Sequence, residues 1–471
     1  MCLEPRTPIA ADASDENLVG EVVADLSAAL VNTRIYAADH PRVRGSVESV
    51  ADCVRSLPAD GDGRSLRLAT TGDLLVYGDR PLLGASMSAS RLIQSLAAWS
   101  SGGIEIDATV RTPELVAFLR ELVARPGLGE DWNQVNRRLG EAGIRSARLL
   151  PPFVESDGVQ RLRSQSAVST PLRFYQSCMD LLQDVTVSVC HGGRFDFDPV
   201  HAQVEAVLRQ LSSGGGPLMN LARHELYDAF TFGHSVRVGV LAMTFARSLT
   251  TDHDLLVRIG TAALLHDCGK ALVPFEILHA RRPLDDDERR EIGKHSQYGA
   301  EILIDHEDVD PMAIAAAFGH HRSSDGGGSP ATLHEHRNLL VTEVVKICDV
   351  YEALTAARPY KQPMPPIRAY RVMVGMRAHL DRALLGHFIK VIGIHPVGQI
   401  VALSTGEAAR VVDQTDVLTR PRVQILTDTG GEPLDEPARR IVDLTTADDR
   451  HGEILGAVEP VAAAALTAAV A

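Results

Sequence analysis

This 471-residue chain has no Cys-x-x-Cys pair, no excess of basic charge and no apolar run of membrane length, and each absence removes a class of function. Its six cysteines (Cys2, Cys53, Cys178, Cys190, Cys268 and Cys348) are scattered, which gives no thiolate zinc site and suits a reducing cytoplasm. The formal net charge of −14 argues against coating a nucleic-acid polymer, which calls for a basic face. A small phosphorylated substrate stays open, since bound metals and a few local cations can hold one. Without an apolar run of about 20 residues, no membrane partner is expected. The opening Met1-Cys2-Leu3-Glu4-Pro5-Arg6 lacks the basic-then-apolar order of a secretory signal, so the expected location is the cytoplasm. No internal repeat is visible.

What is present is a globular composition, 45% hydrophobic, with length for roughly three domains. The pattern predicts a multidomain α+β protein. Residues 1–155 read as a small α/β accessory domain, sensory or dimerising, with strands at Leu66–Thr70, Leu74–Tyr77 and Ile104–Ile106 and helices at Leu18–Val31 and Pro113–Ala124. Residues 156–219 read as a linker plus helices leading into a catalytic domain. Residues 220–388 are nearly all helix by periodicity, with candidates Arg223–Leu249, Asp254–His266, Asp285–Leu303, Asp310–His320, His336–Ala357 and Pro366–Asp381. Residues 389–471 turn to short β runs separated by Gly and Asp turns, a small β-barrel-like extension, and end in an Ala-rich tail.

Fourteen of the eighteen histidines lie between His224 and His395, so any histidine chemistry belongs to the helical segment. His266-Asp267 closes the apolar run Leu255–Leu265, where a carboxylate costs several kcal/mol unless a charge meets it. A divalent cation would meet it, and imidazole with carboxylate is the donor set that Fe, Mn or Zn prefers. His234, His295, His320, His321 and Asp349 also sit in or beside apolar helices. Any one histidine alone is more often a hydrogen-bonded core residue. Seven such residues along an ordered series of helices point to metal binding. Adjacent residues diverge by about 100° on a helix, so His266-Asp267 and His320-His321 can each share a site only at a helix end.

The order of these motifs resembles the HD phosphohydrolase superfamily, and within it the HD-GYP group of cyclic di-GMP phosphodiesterases. His234-Ser235-Val236-Arg237-Val238 is similar to the first histidine helix, and His266-Asp267-Cys268-Gly269-Lys270 to the core motif. Cys348-Asp349-Val350-Tyr351-Glu352-Ala353-Leu354, running on to Arg358-Pro359-Tyr360-Lys361, resembles the last. The resemblance implies an HD-type bundle with two divalent ions, Fe or Mn, bridged by Asp267 and a hydroxide. His234, His266 and Asp349 would serve one ion, and His295, His320 and His321 the other. Hydroxide would attack a phosphodiester of cyclic di-GMP to give the linear dinucleotide or GMP. Asp267, His266 and Lys270 would be the catalytic residues, with Lys270, Arg358, Lys361 and Arg237 as substrate contacts. A homodimer is the default assembly.

The departures bear on the substrate. Arg322 stands where the naming motif has glutamate and Ser329 where it has tyrosine, while Asp325, Gly326, Gly328 and Pro330 are kept. Members with three metals carry a glutamate one turn before the first histidine, where this chain has Phe230, so two metals are expected. An HD hydrolase for another nucleotide and a weakly active cyclic-dinucleotide sensor or scaffold are the rival readings.

Overall fold

The computed structural model describes residues 13–57, 65–78, 80–152, 166–212, 232–278, 280, 282–324, 328–330, 338–356, 363–376, 379–435, 438–446 and 452–458. Arg358, Lys361, Phe230, Asp325, Gly326 and the Ala-rich tail lie outside them. The described residues form two compact units, one up to Gly193 with Phe232 and Gly233, the other from Arg194 to Ser212 and from His234 onward. Among the described residues no helix is long and apolar enough to cross a membrane.

The first unit is built on an antiparallel sheet of β1 (Ser65–Thr71), β2 (Leu74–Tyr77), β3 (Arg80–Pro81), β4 (Gly103–Asp107) and β5 (Ala147–Leu150), in the order β3-β2-β1-β4-β5. Leu66 pairs with Ile106 and Leu68 with Ile104, which puts all four on one face of the sheet, where they are buried. Helices Ala13–Ile35, Pro41–Ser56 and Thr112–Val123 supply the rest of that core through Leu26, Val47, Val50, Phe118 and Leu119. The expected strands β1, β2 and β4 are present, and β3 and β5 complete the sheet beyond that expectation. Helix Ser166–Cys190 groups with this unit, where Asp180 accepts from Ser90 Oγ at 2.8 Å and Gln94 Nε2 at 2.6 Å. The next helix, Asp198–Ser212, groups with the second unit.

The second unit is the helical one. Phe232–Ala246, His253–Leu265, His295–Ile304, Pro311–Gly319 and Leu340–Thr355 surround the histidines, with Val240, Met243, Leu264, Val344 and Ile347 in the core. Two of the expected helices are broken. The stretch Asp285–Leu303 is two helices, Asp286–Gly293 and His295–Ile304, hinged at Lys294. The stretch Pro366–Asp381 stops at Gly375, and Asp381 caps a new helix, Arg382–Ile392, by accepting from the Ala383 and Leu384 amides at 2.9 Å.

The terminal strands β6 (Ile400–Leu403), β7 (Ala408–Asp413), β8 (Arg422–Ile425), β9 (Ile441–Asp443) and β10 (Ile454–Ala457) form an antiparallel sheet in the order β10-β6-β7-β8-β9. The barrel-like expectation is corrected here. β9 and β10 lie at opposite edges and do not pair among the described residues, so the sheet is open. One face, with Val401, Leu403, Ala409, Val411, Val423 and Ile425, carries its small core.

Candidate metal centre

Helix ends make the site possible. His266 is the residue at which His253–Leu265 stops, and Asp267 leaves helical geometry before the tight turn Cys268–Leu272. Neighbours that would diverge within a helix thus point into one space. His320 likewise closes Pro311–Gly319, with His321 just beyond, and His295 opens its own helix after the hinge at Lys294. Gly269 seats the turn: a Cβ there would lie 2.0 Å from His295 O and 2.3 Å from Gly299 N, so only glycine fits.

The seven residues converge. Asp267 Oδ2 lies 3.5 Å from His234 Nε2 and 3.4 Å from His266 Nε2, while Oδ1 lies 3.3 Å from His295 Nε2 and 3.7 Å from His320 Nε2. Each oxygen of one carboxylate therefore faces a different group. Asp349 Oδ1 joins the first group, 3.1 Å from His234 Nε2. His321 joins the second, its Nε2 3.1 Å from that of His295. Two clusters suited to a metal ion result, His234-His266-Asp267 and His295-His320-His321. All are buried except His321, which is open to solvent.

The donor set fits cations on chemical grounds. His266, His295 and His320 donate Nδ1–H to backbone carbonyls, at 2.8 Å to Ala263 O, 2.5 Å to Ile292 O and 2.9 Å to Ala317 O. Their Nε2 atoms are thereby left as bare lone pairs. Those of His295 and His320 face each other at 3.1 Å, a repulsive pairing that a shared cation removes. His266 Nε2 is buried without a hydrogen-bond partner among the described residues, an orphan that costs about 1–3 kcal/mol unless coordinated.

The electrostatics agree. Burial resists charge on His234, but Glu352 and Asp349 outweigh it and lift its pKa to about 9. Burial takes His295 down to about 4 against the opposing pull of Asp267, with Lys270 and His321 adding to the lowering. His320 is held well below the usual range by burial and its imidazole neighbours. Asp267 resists its own burial because Lys270 and His266 hold it well below the usual carboxylate range. Asp349 is lowered in the same way, burial being outweighed by His234.

Of the expected substrate contacts, Lys270 is at the site, its Nζ on Asp267 Oδ2. Arg237 is placed differently from Lys270. It is buried, and its guanidinium grips Glu352 Oε1 from Nε and Nη2, each at 2.5 Å, instead of standing ready for a ligand. Glu352 in turn accepts from His234 Nδ1, a role the sequence reading did not assign. The signal was available, because Asp349 and Glu352 are three apart on one helix and share a face.

Arg322, Ser323 and Ser324, just after His321, are anchored by buried and part-buried bonds. Lys346 Nζ, buried, donates to Arg322 O at 3.0 Å, Ser324 Oγ at 3.0 Å and Glu343 Oε1 at 2.9 Å. Asn338 Nδ2 reaches the same Glu343 oxygen at 2.8 Å, and Ser323 Oγ meets His379 Nδ1 at 2.6 Å. Arg322 is itself buried, and Gly328, at φ +88°, pairs with it in an isolated antiparallel bridge.

Comparison with known proteins identifies the domains. The HD domain model matches residues 220–384, and that of a KOW domain associated with the HD domain matches residues 400–454, the open sheet. The chain is 30% identical over 335 residues to a cyclic di-GMP phosphodiesterase of Pseudomonas aeruginosa, covering 69% of this chain and 78% of that one. A 3'3'-cGAMP-specific phosphodiesterase of Vibrio cholerae is 35% identical over 31% of each chain. A cyclic di-GMP phosphodiesterase of Thermotoga maritima is 30% identical over 33% of this chain and 43% of its own.

Proposed function

The chain belongs to the HD-GYP group of the HD-domain metal-dependent phosphohydrolases, and on that premise we propose that it hydrolyses cyclic di-GMP to the linear dinucleotide and onward to GMP. The observation that carries this reading is the Asp267 carboxylate, with Oδ2 on the His234–His266 group and Oδ1 on the His295–His320 group. In this proposal each group would hold one divalent ion, Fe or Mn as the family resemblance implies, and Asp267 would offer an oxygen to each. The pair, when bound, supplies Lewis acidity toward a phosphoryl oxygen and a water acidified enough to be a nucleophile at neutral pH.

The chain's own residues do the rest. The backbone carbonyls of Ala263, Ile292 and Ala317 fix three imidazole tautomers, so no reorganisation is needed when substrate arrives. Lys270, whose Nζ lies on Asp267 Oδ2, would meet the charge growing on the phosphoryl oxygens. Water adds across the phosphorus–oxygen bond: its oxygen joins phosphorus, and the ribose oxygen leaves and takes a proton. Arg358 and Lys361, just past the Leu340–Thr355 helix, are proposed to hold the second phosphate or a guanine. The test is metal-loaded protein incubated with cyclic di-GMP and the products separated. Linear dinucleotide or GMP, absent with His266→Ala, supports the reading; no product from protein carrying its metals contradicts it.

A second reading, hydrolysis of a different cyclic dinucleotide, is favoured by one feature. Arg322 and Ser329 replace the glutamate and tyrosine of the naming motif, and a relative of this chain is named for 3'3'-cGAMP. The same assay run with 3'3'-cGAMP separates the two: faster turnover of that substrate would favour the second.

A further inference from the structure

The site histidines are not held alike. His266, His295 and His320 lean on backbone carbonyls, whereas the Nδ1 of His234 meets the carboxylate of Glu352, which Arg237 grips from the far side. His234, Arg237 and Glu352 are all buried, so water does not dilute the effect. A carboxylate on Nδ1–H draws that proton outward and leaves Nε2 a stronger donor than a carbonyl can. The surrounding charge is unequal too. The first group has Asp349 Oδ1 3.1 Å from His234 Nε2, besides its share of Asp267. The second has three imidazoles and the other oxygen of Asp267, and one of its imidazoles, His321, is exposed.

We propose that the two groups take up divalent ions in order, the His234–His266–Asp267–Asp349 group first, and that Glu352, clamped by Arg237, is the positioning residue that sets the order. The inference rests on the metal reading above and adds to it an inequality between the positions. Arg237 then acts through Glu352 and not on substrate.

The experiment is a titration of the full chain, stripped by chelator, with Mn²⁺ in competition with a fluorescent chelator. The wild type gives two separated binding steps. Glu352→Gln, which keeps the shape and removes the charge, weakens the tighter step by about 10–100-fold and leaves the weaker one in place. A purely architectural role for Glu352 would move both steps together. His321→Ala removes the weaker step and spares the tighter. Glu352→Gln leaves Arg237 without its carboxylate; should that variant fail to fold, the wild-type and His321→Ala titrations still decide the order. A single merged step in the wild type, an unchanged tight step in folded Glu352→Gln, or loss of the tight step in His321→Ala would each overturn the inference. A single merged step with turnover intact sinks this inference alone, whereas no Mn²⁺ bound at all sinks the metal reading with it.

Discussion

The metal centre and the segment that follows it, from Arg322 to Pro330, are covalently continuous yet differ in what they keep. The centre keeps all seven candidate ligands, buried but for His321, with three tautomers fixed by carbonyls. The segment replaces the motif's glutamate and tyrosine, and its described residues Arg322, Ser323 and Ser324 bond Lys346, Asn338, His379 and Glu343. Bond-breaking chemistry depends on atoms placed within a few tenths of an ångström, so any lost ligand is costly. Recognition is spread over more contacts and tolerates exchange. On the proposed reading, chemistry and substrate choice sit on separable pieces of one helical unit.

The comparison can be broken most sharply at the centre. Asp267→Ala removes the carboxylate common to both groups, and turnover should fall by a factor on the order of 10³ or more while the first unit stays folded. Metal content per chain, measured beside activity, checks it; unchanged metal would refute the assignment of Asp267. Gly269→Ala should also be severe, because its Cβ would lie 2.0 Å from a backbone oxygen. A cost of about 1–3 kcal/mol, read by chemical denaturation, is expected from overpacking of this kind.

Chelation should lower the melting temperature, since an ion at about 100 times its Kd adds about 2.7 kcal/mol to the folded state. A melting curve indifferent to chelator and added metal would contradict a bound centre. The chelated protein should then lose stability as pH falls from about 6.5 toward 4. In that window the unfolded chain protonates His295 while the folded chain, with its pKa lowered to about 4, does not. His234, raised to about 9, is protonated in both states there, so its contribution is constant across that window; it is fully present below about 6.5 and fades as pH rises toward 9. Equilibrium unfolding of chelated protein across pH 4–9 reads both limbs, and a flat profile would contradict them. The smallest effect belongs to the segment: Ser329→Tyr should raise kcat/KM for cyclic di-GMP by a few-fold, about 1 kcal/mol of added contact, with metal content unchanged. No change would mean that position 329 does not choose the substrate.

Much of the centre was legible because its chemistry is unusual for its surroundings. An aspartate after Leu264-Leu265 and another after Ile347-Cys348 have no place in apolar helices unless something charged meets them. The expectation that His266-Asp267 and His320-His321 work only at helix ends matches the observed ends at Leu265 and Gly319. A sequence shows that the Arg237 guanidinium is near a site, not which way it turns. Its partner Glu352 sits 115 residues away in the chain. The break at Lys294 was hidden because Asp285–Leu303 keeps helical periodicity across it. The open terminal sheet was missed because closure depends on whether the two edge strands pair, a long-range matter that strand patterning does not encode.

The central claim is that one carboxylate, Asp267, serves two metal positions, and electron paramagnetic resonance of the fully Mn²⁺-loaded protein tests it most directly. The account predicts the broadened, spin-coupled signal of two bridged ions, collapsing to the hyperfine pattern of an isolated ion in His321→Ala. An isolated-ion pattern in the fully loaded wild type would contradict it.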